Sequence, residues 1–115
     1  MISFEQRAQM HKFIIMELAL ESLQRDNLAI EKLKMSKVYL TIIEKLIKSI
    51  QTEYYNQKRL LAKQKIKVVK WEKINEYFSD LTITTPGEDQ VFRYANMAVK
   101  TQVEKLLLER LNIEQ

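Results

Sequence analysis

At 115 residues, 46% hydrophobic and 30% charged with a net charge of +4, the chain reads as one ordered domain, 1–115, large enough to bury about two-thirds of its unfolded surface. It has no cysteine and one histidine, glycine and proline each, which removes disulfides, thiolate nucleophiles, Cys- or His-rich metal sites and glycine-rich phosphate loops. The longest apolar stretch, Phe13 to Leu20, is eight residues and contains Glu17, too short for a membrane span or an export signal, so the expected setting is cytoplasmic and no membrane partner is expected.

Ser3 followed by Gln6 has the spacing of a capping box and opens a first helix over about 3–24. Phe4, Ala8, His11, Ile15 and Leu18 form one apolar stripe, while Phe13, Ile14, Met16, Ala19 and Leu20 carry apolar surface round to the other sides. A helix apolar on several sides must be covered on several sides, and a small bundle seldom surrounds one helix completely. The surplus points to a second chain. His11, on the stripe, reads as a partly buried histidine satisfied by its neighbours. Glu17 and Glu21, one turn apart, read as the polar edge of this helix and not as an acid–base pair.

Asp26 and Asn27 offer a weak break and a new N-cap, giving a second helix over 27–63. Leu33, Ser36, Leu40, Ile43, Ile47, Ile50, Tyr54, Gln57 and Leu61 alternate by three and four, the spacing of a knobs-into-holes seam. Unbroken, this helix would run about 55 Å, longer than a domain of this size is wide. Either it kinks near Ser36 or its ends pair with another subunit. Phe13, Met16, Leu20, Ile43, Ile47 and Ile50 are therefore the expected dimer interface.

Beyond residue 65 the character changes. Lys65-Ile66-Lys67-Val68 alternates with period two, and adjacent Val68 and Val69 shift the phase as a bulge would. With Leu81 to Thr85 this predicts an antiparallel hairpin at about 66–84, with strands near 66–72 and 78–84 and a turn around Asn75. The competing reading is a helix, because Trp71, Ile74, Phe78 and Leu81 also share a helical face and a hairpin turn without glycine is unusual. Thr85-Pro86-Gly87-Glu88 then reads as N-cap, N1 proline and N3 glutamate, opening a third helix over 86–111 that buries Phe92, Ala95, Val99, Val103 and Leu106. The expected class is mainly α: three helices (3–24, 27–63 and 86–111) in a bundle with a β-hairpin at 66–84, hence α+β, with all-α as the alternative.

Charge is concentrated. Lys58, Arg59, Lys63, Lys65, Lys67, Lys70 and Lys73, against Glu72, place +6 in sixteen residues and leave −2 for the rest. Aromatic residues flank and enter this tract at Tyr54, Tyr55, Trp71, Tyr77 and Phe78, and cations with aromatic faces suit phosphates and bases. The same charge also serves as a solvated helix end and an edge strand guarded by lysine. No catalytic, cofactor or metal constellation is legible and no small-molecule substrate is evident, so the chain is read as non-enzymatic. The leading expectation is a dimeric helical interaction protein. The alternative is a nucleic-acid-binding protein using Lys63, Lys65, Lys67, Lys70 and Trp71 of the tract 58–73. Lysine outnumbers arginine 14 to 5, as in proteins from AT-rich bacterial or phage genomes.

Overall fold

Ser3 stands in extended backbone just ahead of α1 (Phe4–Ile30); its hydroxyl accepts from the Gln6 amide and the Gln6 side chain accepts from the Ser3 amide, closing the capping box. The computed structural model describes residues 2–111. Asp26 and Asn27 do not interrupt α1, because apolar residues continue past them to Ile30. The chain turns over 31–35 and α2 (Ser36–Lys63) begins at Ser36, not at residue 27. Its 28 residues span about 42 Å, inside the molecule's longest dimension of 52 Å.

α2 ends in a Schellman motif. Lys65 has left-handed backbone (φ 59°), its amide donates to Ala62 and the Ile66 amide donates back to Leu61, while the Leu61 and Ile66 side chains are both buried. The reversed chain feeds the strands β1 (Lys67–Lys73), β2 (Phe78–Thr85) and β3 (Glu88–Ala95), an antiparallel sheet in the order β1-β2-β3, followed by α3 (Asn96–Arg110). The fold is mainly helical α+β, and the hairpin expected over 66–84 is present. Its glycine-free turn is built by Asn75, whose side-chain oxygen accepts from the Tyr77 and Phe78 amides at 2.8 and 2.9 Å. Asn96 secures the turn from the start of α3, donating to the Asn75 carbonyl and accepting from the Ser79 hydroxyl at 2.6 Å.

The third helix does not begin at residue 86. Pro86 and Gly87 are the two central residues of the β2–β3 turn, with Gly87 at φ +103°, a backbone no helix contains. Thr85 does not cap a helix; its hydroxyl donates to the Glu88 carbonyl across that turn. Residues 88–95 form a third strand, and α3 starts at Asn96 with no side-chain cap.

That strand explains a second correction. Met10, Phe13, Ile14, Ile15, Met16, Ala19, Leu20 and Leu23, all from α1, supply half of the sixteen buried apolar side chains among the described residues. α2 covers one side of α1, α3 another, and the inner face of the sheet a third, through Leu81 and Ile83 with Phe92 and Tyr94 from β3. Phe13, Met16 and Leu20 are 4, 1 and 7% exposed within a single chain, Ile43 and Ile50 are equally buried, and Ile47 is half-buried against the same core. Five of the six are thus covered within one chain, and the sixth, Ile47, packs against them. Two strands would have left α1 open on one side; three enclose it.

Where the helices converge, Glu53 of α2 accepts from Lys12 of α1 at 2.5 Å and from Arg110 of α3, which also donates to the Ser49 carbonyl at 2.8 Å. The Lys12 hydrogen bond, with help from Arg110, holds the Glu53 carboxyl below the ordinary glutamate value against the opposing effect of burial.

Candidate functional site

A groove of about 750 Å³ runs between the C-terminal half of α2, one side of α1 and the free edge of β1. Each element contributes in a way its sequence dictates. Ala62 and Leu61 keep the end of α2 low, and the Schellman turn reverses the chain so that Lys65 and Ile66 form the corner. β1 then supplies Lys67 through Trp71 as one wall.

The register within β1 decides where its lysines go. Lys67 pairs with Thr84 and Lys70 with Thr82, with the register shifting between Val68 and Lys70. Thr84 and Thr82 are two apart on one face of β2, so the bulge at Val69 puts Lys67 and Lys70 on one face although they are three apart in sequence. Without that extra residue, Lys70 would turn inward and Trp71 outward. With it, Trp71 pairs with Leu81 on the inner face, half-buried, its ring edge-to-face with Tyr94 at 5.4 Å.

Lys58 and Lys65 border one groove from the α2 side, and Lys67 and Lys70 border it at the rim from the outer face of the β1 edge, where the Lys70 ammonium stands 3.7 Å from Glu72; Trp71 and Tyr54 are in the groove walls and Phe13 and Leu18 deeper in. Glu17 and Glu21 line the α1 side, leaving four cations against two anions. Of the residues singled out from the tract, Lys65, Lys67, Lys70 and Trp71 are brought together. Lys63 is exposed in the last turn of α2, near the negative end of the helix dipole, and does not line the groove.

Tyr54 is committed to the protein. Its ring stacks on Phe13 at 4.8 Å, its hydroxyl donates to Glu17 Oε1 at 3.1 Å, and burial followed by the Glu17 charge pushes its phenol up to about 12. Tyr55, half-exposed, meets Tyr54 edge-on at 5.2 Å. His11 lies away from the groove, stacked on Tyr94 with ring centroids 5.6 Å apart and donating from Nε2 to Gln102 Oε1 at 2.7 Å. Among the described residues no group of three metal-ligating side chains comes together, and no helix is long and apolar enough to cross a membrane. On the outer face of the sheet, Arg93 holds Asp80 in a two-pronged ion pair at 2.9 and 3.1 Å, which lowers the Asp80 carboxyl; the guanidinium is exposed and the carboxylate largely covered.

The sequence does not reveal the groove's carboxylates as neighbours of the lysines, because Glu17 and Glu21 precede the tract by more than 35 residues; Tyr54, four residues before Lys58, is the one link. A family model described as YhjD protein matches residues 1–115, and the chain belongs to that family. No curated protein and no solved structure matches the chain.

Proposed function

For this member of the YhjD protein family we propose a non-enzymatic binding role: the groove beside β1 takes single-stranded nucleic acid. The observation that carries the reading is the placing of Lys58, Lys65, Lys67 and Lys70 around the rim of one groove that has an indole in its wall. Phosphates lie along the lysine rim, where release of condensed counterions drives association. Unpaired bases enter the groove, whose volume of about 750 Å³ is that of a small-ligand site. Trp71 and the apolar wall receive their faces, and Glu21 is placed to accept from exocyclic amino groups, as carboxylates do from cytosine. A duplex keeps its bases stacked inside and offers this groove only its phosphates. A cytoplasmic setting, where RNA single strands are abundant, suits the reading.

Trp71 is the only tryptophan in the chain, so its fluorescence reports on the groove directly. Titration with a short single-stranded oligonucleotide is expected to quench it. Four phosphate contacts give a log–log salt slope of about −3 for a single strand. Replacing Lys65, Lys67 and Lys70 together by glutamine should remove most of that slope. An oligonucleotide that leaves the fluorescence and anisotropy unchanged at low salt, or a duplex that binds more tightly than the single strand, defeats the proposal.

A further inference from the structure

From Gln24 to Ile42, across the end of α1, the turn and the start of α2, no residue is buried. The segment is nevertheless rich in large apolar side chains. Leu33 and Met35 stand in the turn, 51 and 62% exposed, and Val38, Tyr39 and Ile42 follow on α2. Met35, Val38, Tyr39 and Ile42 are spaced by three and four, so they share one helix face directly beyond the part of α2 that packs into the core.

We infer that a second copy of this chain covers this face, α2 against α2, to make a homodimer joined at the ends of the helical hairpins. Area supports that occupant. The exposed surface of these five residues is about 450 Å² per copy, so covering it in both copies buries about 900 Å², close to the roughly 1,000 Å² that a specific interface needs. A stripe spaced three and four is also a ridge that an identical ridge can pack against. Charge argues against a lipid surface, because Asp26, Glu31 and Glu44 interleave with Arg25, Lys32, Lys34, Lys37 and Lys45 where an anionic membrane calls for an unmixed basic collar. In an antiparallel pair centred on Val38 and Ile42, Lys34 of each copy falls near Lys45 of the other. Exposed like charges of this kind cost little beside the apolar burial, but with +4 on each copy they give the dimer a characteristic response to salt.

This inference does not depend on the groove's ligand. The groove lies along the C-terminal part of α2 and the seam at its N-terminal end, about 30 Å away from centre to centre, so pairing leaves both grooves open. The test is sedimentation of the full chain without nucleic acid. Wild type is expected at twice 13.8 kDa in the high-micromolar range, tightening as salt is raised from about 0.05 to 0.5 M. Val38→Glu and Ile42→Glu, both at solvent-exposed positions, should each weaken association by on the order of thirtyfold, the loss typical of a central interface residue. Phe4→Glu, exposed at the other end of α1, should leave the dimer intact. A wild type that stays monomeric at high-micromolar concentration, a dimer indifferent to both α2 substitutions, or one that loosens as salt rises would each overturn the inference.

Discussion

Replacing Lys65 by glycine should make the protein more stable while weakening its groove. Lys65 is the one non-glycine residue with positive φ among the described residues, at 59°, and it occupies the position of a Schellman cap where glycine is preferred. Left-handed backbone costs an L-residue about 1–2 kcal/mol. Glycine relieves that cost but returns about 0.5–1 kcal/mol through the greater freedom of its unfolded chain. The net gain is about 0.5–1 kcal/mol, which for a domain of this length raises the melting temperature by about 2–4 °C. Lys65→Ala isolates the charge: it keeps the strained backbone and should melt within about 0.5 kcal/mol of wild type. Both variants delete one groove cation, so both should reduce the single-strand salt slope by about 0.7. Thermal melts followed by circular dichroism and anisotropy over a salt series read the two effects separately. A glycine variant that melts at or below wild type and level with the alanine variant would refute the strain argument. A full wild-type salt slope in both would remove Lys65 from the binding surface.

Gly87→Ala should destabilise by about 1–2 kcal/mol, and through backbone alone, since an added Cβ meets nothing within 4 Å; urea midpoints at constant slope would show it, and a neutral result would mean the β2–β3 turn relaxes freely. Ile50→Ala, at a fully buried site on α2, should cost about 2–5 kcal/mol; a loss under about 1 kcal/mol would show that α1 and α2 close over the space. Tyr54 binds its proton more tightly in the folded chain than in the unfolded one, its phenol standing at about 12 against an ordinary 10.0. Its contribution is therefore complete below pH about 10 and lost as pH climbs through about 12. Urea midpoints across that window should fall in wild type and fall less in Tyr54→Phe; parallel curves would contradict the assignment.

The legible parts of the fold were those set by short-range chemistry. Ser3 and Gln6 cap α1 because two side chains and two amides within one turn suffice. Val68 and Val69 mark a bulge because two adjacent β-branched residues cannot both follow a period of two. Thr85-Pro86-Gly87-Glu88 misled for the same local reason: threonine, proline and glutamate fit a helix start, and only the left-handed backbone at Gly87, which the β2–β3 register imposes, rules it out. With β3 read as helix, α1 lacks cover on one side, which points Phe13, Met16 and Leu20 to an interface; Ile43, Ile47 and Ile50 join them because a helix over 27–63 would outrun the domain, and α2 starting at Ser36 does not. The lysines of the groove were visible as a tract, but their alignment depended on the bulge and their acidic counterparts on a neighbouring helix.

The competing account of the basic tract is a solvated surface, and most of its lysines fit that account. Lys63 complements the α2 dipole, and Lys67 and Lys70 guard the free edge of β1 against pairing with another chain. Lys65 does not fit. A solvated surface gains nothing from a lysine where glycine would hold the same cap at lower free energy, and a guard for the strand edge is already provided by its neighbours. Strained backbone tends to persist where a side chain has a use, and the chain beyond Lys65 leads it straight into the groove wall shared with Trp71. Measured together, the stability gain and the binding loss of Lys65→Gly decide between the two accounts: a gain without a loss leaves the tract as solvated surface, and a gain with a loss makes the cap a part of the binding site.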